Sequence, residues 1–482
     1  MFRIDNRVVK GSIGGIVGCL LLLITCMAAA ANGQEDSSLA AELDTVDRKF
    51  HQFSSRFYSE LVQAEKTAEI VNIDELSSAV DDYRNKRQLA QAVALVVKNV
   101  AKVDGQLNSK PIANIIATLL EANELETASL LLKRAREESD RSVLANISFS
   151  FAKHRFNRSQ WQSTIDLLDQ VSSDLPTDDY NHAMLMRGIS LQKIQKHREA
   201  IESYGKIAES SKYYIAARLN MAIANMREDW WTDAHVIIND LLGPAGSNVG
   251  GEKSDRLNTL LGYSLLQKQY YRNARDAFRN VSINGPYTNQ ALLGISLAAA
   301  YQEDYVGAMN VVRNLNDKKA TDLPVEESYL LIPYFFEKLH QYHTALAGYS
   351  EAINHYEARI NAIKGHLSVD TDFFMGQILN ENPASFPLGE EAVDLKDKLP
   401  EFFFDSFRLL MTYRAYLALI GDDSLSVEFK ALSNEFASIM QRAARHTLVE
   451  KIAILTSYMN QSRYGHARMY DNSMQKSEYE PQ

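Results

Sequence analysis

The stretch Gly188-Ile-Ser-Leu191 … Ala200-Ile-Glu-Ser-Tyr204 … Ile207 decides how the rest of the chain is interpreted. A small residue is followed 12 positions later by alanine, 4 later by an aromatic residue and 3 later by an aliphatic one. Two amphipathic helices that cross closely produce such a pattern, because only a small residue fits where the backbones approach. A larger side chain then fills the space beside the crossing. The stretch therefore predicts a helix-turn-helix unit.

The same spacing recurs through the middle of the chain. It returns at Gly262, Ala274, Phe278 and Val281, where Pro286 closes the unit. The small residue of the second helix recurs at intervals of 36, 36, 34, 40, 34 and 37, at Ala128, Thr164, Ala200, Ala234, Ala274, Ala308 and Ala345. The interval of 40 contains a glycine-rich insertion at 243–251. Such a period predicts a solenoid, in which each unit packs on its neighbours, rather than a generic helical bundle.

These residues and their period resemble the tetratricopeptide repeat family over roughly residues 105–355. The resemblance implies an all-α fold, a right-handed α-solenoid of tetratricopeptide-like repeats with a long C-terminal helical extension. About seven units are expected over 105–357, and Ala92, 36 residues before Ala128, leaves a degenerate eighth unit open. The residues expected to pack the repeats are Gly188, Ala200, Tyr204, Ala222, Ala234, Gly262, Ala274, Phe278, Pro286, Ser296, Ala308, Ala345 and Tyr349.

Both flanks of the array carry further predicted elements. Residues 32–104 have helical periodicity, whereas 358–400 contain Pro383, Pro387, Gly389 and Pro400 and are expected to be an irregular linker. Two helices follow within 401–472, and residues 473–482 are expected to be a disordered tail. The second of these helices either seals the array or fills its groove. The alternative is that it pairs with a second copy in a homodimer.

The N-terminal segment 1–31 has the composition of an export signal. Arg3, Arg7 and Lys10 precede an apolar run that is densest at 20–24, and Ala29 and Ala31 fit a signal peptidase site. A cleaved signal peptide is the first interpretation. An uncleaved inner-membrane anchor over 13–31 and lipidation at Cys19 are the alternatives. All three predict that the bulk of the chain is exported to the periplasm.

Composition excludes several classes of function. A net charge of −10 argues against a nucleic-acid partner, which requires a basic face. The two cysteines, Cys19 and Cys26, lie in the apolar segment, so the remainder has no thiol chemistry. No catalytic or phosphate-binding motif is present, and we predict neither enzyme activity, cofactor nor metal. The weak candidates are His340 with His343 in a turn and Asp370 with Asp372; Trp231 is expected to be core.

In the family that this chain resembles, the first helix of each unit lines a concave groove. Positions three before, one after and four after each small residue are then the expected lining. They are Leu185, Ile189, Gln192, Leu219, Ile223, Met226, Thr259, Tyr263, Leu266, Leu293, Leu297, Ala300, Leu330, Tyr334 and Glu337. The lining is apolar and lacks the Lys and Asn pattern with which some members clamp a C-terminal carboxylate.

An apolar lining predicts a scaffold in a bacterial envelope complex that binds protein partners through its groove. Assembly, secretion and surface-structure biogenesis are the processes considered. Two alternatives remain. The lining is covered by the chain's own helices, or the chain is a homo-oligomeric spacer that associates through its long C-terminal helix.

Overall fold

The computed structural model describes residues 17–64, 68–102, 105–171, 174–243, 250–318, 321–368, 385–388, 391–395 and 398–477. The chain begins with a long helix, α1 (Val17–Ala64). Helix pairs follow: α2 (Ile73–Asn85) and α3 (Leu89–Asn99), α4 (Pro111–Glu121) and α5 (Leu125–Glu138), α6 (Arg141–Asn157) and α7 (Trp161–Val171), α8 (Thr177–Lys193) and α9 (His197–Gly205). The further pairs are α10 (Tyr214–Arg227) and α11 (Trp231–Leu242), α12 (Glu252–Gln267) and α13 (Tyr271–Arg279), α14 (Thr288–Ala300) and α15 (Tyr305–Asn316), α16 (Leu323–Lys338) and α17 (Tyr342–Gly365).

A repeated turn joins the two helices of every pair. Each turn contains a non-glycine residue with φ between 57° and 66°, at Arg87, Asn123, Ser159, Gln195, Asp229, Gln269, Glu303 and His340. The residue after it donates its amide to a carbonyl five positions back, as Lys196 does to Leu191 at 2.9 Å. The residue in the left-handed conformation ends the first helix and lets the amides that follow donate hydrogen bonds to its last carbonyl groups. The turns recur at intervals of 36, 36, 36, 34, 40, 34 and 37, so the described chain contains eight units.

The first unit is α2–α3, so the array begins at Ile73 and not at residue 105. Its Ala92 is fully buried, as are the seven alanine or threonine residues at the same place in later units. The right-handed sense of the solenoid remains a prediction.

Small residues lie where the two helices of a unit cross. A Cβ on Gly262 would come 2.5 Å from a ring carbon of Phe278, and a Cβ on Gly188 would collide with Tyr204. Phe278 also lies against Gly294 in the next unit, so one aromatic ring packs both within and between units. Pro333, which replaces the small residue in the last unit, packs against Gly348 instead, where a Cβ would come 3.1 Å away. Pro286 is exposed in the turn between α13 and α14.

The chain ends in two further helices, α18 (Glu401–Ile420) and α19 (Asp423–Ser477). With 55 residues, α19 is about 80 Å long. Its second half runs antiparallel to α17, with Gly465 against Tyr349 and Tyr458 near Tyr356. It therefore occupies the position of the first helix of another unit and seals the array.

The first half of α19 packs antiparallel to α1. Lys49 binds Glu435 at 2.7 Å and Arg56 binds Glu428 at 2.5 Å. Helix α18 also packs on α1, with Tyr413 stacked on Phe57 at a centroid distance of 4.1 Å. One buried cluster thus contains side chains of α1–α6 together with side chains of α16–α19. The two ends of the array are joined through α18 and α19.

The flanks differ from the sequence prediction in several details. Helix α17 continues to Gly365, and within the predicted linker β1 (Ser385–Leu388) pairs antiparallel with β2 (Glu391–Asp394). Helix α19 continues to Ser477, past the predicted start of a tail at 473. Of the predicted signal or anchor, residues 1–16 lie outside the described residues, and 17–31 belong to α1. None of the described helices combines the length and apolarity needed to cross a membrane.

Candidate protein-binding surface

The first helices of three consecutive units carry half-buried apolar side chains at the predicted lining positions. They are Ile189 on α8, Leu219, Ile223 and Met226 on α10, and Tyr263 on α12. We call these five residues the first-helix strip. Ile189, Leu219, Met226 and Tyr263 pack on a core cluster through part of their surface. All five leave part of their surface accessible. Partly exposed apolar side chains on neighbouring helices are groups that a partner can cover.

Hydrogen bonds link helices of this strip to neighbouring first helices. Gln192 on α8 donates to the carbonyl of Asn220 on α10 at 3.1 Å, and the hydroxyl of Tyr204 donates to the same glutamine. The hydroxyl of Tyr263 donates to the carbonyl of Gln290 on α14 at 2.8 Å. Helices of the strip are thus bonded to a neighbouring unit, α8 to α10 and α12 to α14.

The other predicted lining residues contribute to packing between helices. Leu185, Leu266, Leu293, Leu297, Leu330 and Tyr334 are 4–8% exposed. These six side chains are buried more deeply than those of the first-helix strip, because the depth of a side chain depends on how closely the neighbouring helix approaches. Helix α14 ends in three buried alanines, Ala298–Ala300, which favour close packing. Leu330 shares its core with α19.

Helix α19 covers the last unit through apolar packing and through polar contacts. Glu337 on α16, a predicted lining residue, accepts bonds from Tyr349 at 3.0 Å and from Arg468 of α19 at 2.6 Å. The Nζ of Lys451 donates to the carbonyl of Thr321 at 2.6 Å. One alternative from the sequence, that the chain covers its own lining, therefore describes the last unit but not the first-helix strip.

These contacts leave one signal in the sequence, Gly465, which is the single glycine in the 55 residues of α19. Glycine inside a helix lowers stability by about 1 kcal/mol, so its presence suggests a close approach to another element. The contact with Tyr349 is that approach.

The weak candidates for chemistry do not assemble into a site among the described residues. His340 is exposed in its turn, where Nδ1 lies 2.9 Å from the hydroxyl of Tyr342, and His343 is exposed as well. The described residues contain no group of three or more potential metal ligands. Asp370 and Asp372 lie outside the described residues.

Trp231 was expected to be core and is only half-buried. Its Nε1 donates to Asp229 at 2.9 Å, and the Nζ of Lys268 lies 4.4 Å from the centre of its ring. Trp231 lies on the edge of the array that is formed by the turns between the two helices of each unit. A shallow cleft of about 500 Å³ lies on this edge, lined by Gln269, Tyr270, Tyr271, Arg272, Asn273 and Gln302. The lining has no acid–base pair of the kind that catalysis requires.

Solved structures that are similar to this chain include those of tetratricopeptide repeat proteins. No family model matches it, and no curated protein matches it. The C-terminal part of a tetratricopeptide repeat protein from Cytophaga hutchinsonii is similar, with 11% identity, a TM-score of 0.38, and coverage of 58% of this chain and 98% of that one. A tetratricopeptide repeat protein from Parabacteroides merdae has 15% identity and a TM-score of 0.34, covering 54% and 98%. The apo quorum sensor NprR from B. thuringiensis has 12% identity and a TM-score of 0.34, covering 67% and 97%.

The chain resembles tetratricopeptide repeat proteins. The resemblance rests on its own eight helix pairs, their left-handed turns and the glycine–aromatic contacts between their helices.

Proposed function

We propose that this chain is an exported scaffold that binds another protein of the bacterial envelope through the first-helix strip. The observation that carries the proposal is the set of five half-buried apolar side chains on three consecutive first helices. Hydrogen bonds join α8 to α10 and α12 to α14, and such bonds between units limit the reordering of the scaffold on binding.

The chemistry of the strip indicates the kind of partner. Isoleucine, leucine and methionine offer apolar contact, and the tyrosine adds an aromatic face. An amphipathic helix or an extended apolar segment fits such a surface. The chain has a net charge of −10, so basic residues next to the apolar segment of the partner would favour binding.

Export is part of the proposal and is supported by the residues of segment 1–31. Its test is the N-terminal sequence of the mature protein, together with fractionation. A mature chain that begins near residue 32 supports cleavage. An intact N-terminus on protein in the cytoplasmic fraction rejects export.

Binding is tested by cross-linking and pull-down from membranes with Leu219→Glu and Ile223→Glu. Both side chains are half-buried on α10, so a carboxylate there opposes an apolar partner without entering the core. The matched control is Val236→Glu on α11, the second helix of the same unit, where the side chain is 53% exposed. Leu297 and Tyr334 are not used for glutamate substitutions in this test, because both side chains are buried.

We expect both strip variants to lose a specific partner that the control retains, with unchanged helical content. Retention of every partner by both variants rejects the strip as the binding surface. Equal loss in the control shows that the substitutions act through folding or solubility.

The second candidate is a homo-oligomeric spacer. The apolar stripe of α19 that suggested pairing is used within the chain, at Leu432, Phe436, Ile439, Ala443, Leu448 and Leu455. Exposed Val427 and Val449 remain on its outer side, at 67% and 45%. The solution mass decides this candidate, since a monomer at working concentration rejects it.

A further inference from the structure

The turn inside each unit places aromatic side chains along one edge of the array. The second residue after the left-handed turn residue is aromatic and half-buried in five of the eight units, at Trp161, Trp231, Tyr271, Tyr305 and Tyr342. Tyr270, in the sixth unit α12–α13, comes one position earlier and is 60% exposed. Its ring therefore takes little part in packing between helices and is open to a ligand.

Tyr270 lines the shallow cleft of about 500 Å³ at the turns of the sixth and seventh units, a volume within the range of small-molecule sites. Beside it Tyr271 stacks on Tyr301 of the seventh unit, with the ring centroids 5.1 Å apart and the ring planes 6° from parallel. This contact joins the two turns. The other lining residues are Gln269, Arg272 and Asn273 of the sixth unit and Gln302 of the seventh.

Most side chains of this cleft are not used by the fold. Four of the six lining side chains have no hydrogen bond, ion pair or ring contact with another described residue, namely Gln269, Tyr270, Arg272 and Asn273. Polar groups of the neighbouring turns are engaged, since Asp229 accepts from Nε1 of Trp231 and Asp304 accepts from the amide of Gly307, both at 2.9 Å. The cleft thus offers one aromatic face and three polar side chains to a ligand.

An exposed aromatic ring beside amide groups has the chemistry that recognises a sugar. A pyranose ring with equatorial hydroxyl groups has a face of C–H groups that packs on an aromatic ring, and its hydroxyls both donate and accept hydrogen bonds. The amides of Gln269 and Asn273 also do both, and Arg272 adds donors.

Two other ligands that pack on aromatic side chains fit the cleft less well. Proline-rich segments bind aromatic-lined grooves, but they have few N–H groups to donate to the amide oxygens of Gln269 and Asn273. Nucleic acids stack on aromatic rings but require a basic surface, whereas this chain has a net charge of −10.

We propose that this cleft binds a glycan of β-linked glucose or N-acetylglucosamine residues. One sugar ring packs on Tyr270, and its hydroxyls bond to Gln269, Arg272 and Asn273. The turn of the fifth unit adjoins the cleft, because Lys268 reaches from the sixth unit to the ring of Trp231 at 4.4 Å. The cleft lies on the turn edge rather than on the first-helix strip, so this inference does not rest on the proposed function.

Native affinity electrophoresis of the full chain tests the proposal, in gels that contain hydroxyethyl cellulose or glycol chitin and in a gel without polymer. The variants are Tyr270→Ala, which removes the ring, and Tyr270→Phe, which keeps it. The matched control is Tyr464→Ala on α19, where the side chain is 67% exposed. All three substitutions are at exposed positions, and circular dichroism verifies that helical content is unchanged.

We expect at least one polymer to retard the wild-type chain, Tyr270→Ala to weaken its affinity about tenfold, and Tyr270→Phe and Tyr464→Ala to retain it. Retardation by neither polymer overturns the proposal. Retardation that Tyr270→Ala leaves unchanged, or that Tyr464→Ala reduces as much, also overturns it. Fluorescein-labelled decaproline is the competing probe. If it binds, loses binding with Tyr270→Ala and is bound more tightly than both polymers, the cleft is a site for a proline-rich protein instead.

Discussion

Gly465 of α19 lies against the ring of Tyr349 in the same way that Gly294 of α14 lies against the ring of Phe278. In both contacts a glycine of an arriving helix meets the aromatic side chain of a second helix. The long C-terminal helix thus repeats the contact that joins units inside the array. This is why it ends the solenoid without exposing the apolar side of α17.

Gly465→Ala is expected to destabilise the protein by about 1–2 kcal/mol. Alanine favours a helix by about 1 kcal/mol, but its Cβ would collide with Tyr349, which is 2% exposed and has little room to move. Chemical denaturation monitored by circular dichroism measures the change. Gly365→Ala is the control, because a Cβ there meets nothing within 4 Å. A Gly465→Ala variant as stable as wild type would show that the contact is loose.

Gly262→Ala should lower the free energy of unfolding by about 1–3 kcal/mol through its contact with Phe278. In a double-mutant cycle, Phe278→Leu is expected to recover part of this loss, because a smaller side chain leaves room for the Cβ. Strict additivity of the two substitutions would contradict direct contact as the cause.

The repeat could be predicted from the sequence because its contacts are local. A turn and the alanine 5 residues after it, such as Gln195 and Ala200, belong to one supersecondary unit, and every unit repeats it. The sequence predicted that α19 seals the array or fills its groove, but it did not predict the contacts of α19 with α1, because these join residues as distant as Lys49 and Glu435, 386 apart. The lining rule likewise does not give the depth of a side chain. Leu297 and Ile223 occupy equivalent positions, yet only the second remains partly exposed.

Replacement of a left-handed turn residue by glycine should stabilise the chain. Gln195 has φ of 66°, a conformation that strains residues with a Cβ, and it is exposed. We expect Gln195→Gly to gain about 0.5–1 kcal/mol and Gln195→Val to lose stability, since β-branched residues tolerate this region least. Thermal unfolding of the pair provides the measurement. The reverse order of stabilities would mean that the turn relaxes to negative φ.

Arg158 joins three parts of the molecule. It pairs with Asp47 of α1, donates to Asn123 in the second turn at 2.8 Å and to Ser406 of α18 at 3.3 Å. Its side chain is 8% exposed and that of Asp47 is 14% exposed. Arg158→Met should therefore cost about 3–5 kcal/mol, because it leaves a buried carboxylate without its cation.

The matched control for Arg158→Met is Arg279→Ala, which removes an exposed pair with Asp276 and should cost less than about 0.5 kcal/mol. Both costs are obtained from urea unfolding at one pH. Similar values for the two variants would show that Arg158 does not hold the ends of the array together.

The pH dependence of stability should contain a contribution from Glu327. Its folded pKa of about 7 lies above the ordinary value of 4.5, so between these values the folded chain retains a proton that the unfolded chain has lost. This contribution is fully present below about pH 4.5 and is lost as the pH rises through 7. Its size is about 3 kcal/mol at most, from the free energy of a pKa shift. Glu327→Gln cannot ionise, so its stability relative to wild type should increase by up to that amount from pH 4.5 to pH 8.

Denaturant unfolding at several pH values tests this prediction. The control is Glu435→Gln, which removes a carboxylate from an exposed pair with Lys49. A constant difference between Glu327→Gln and wild type would mean that the carboxylate is solvated in the folded chain.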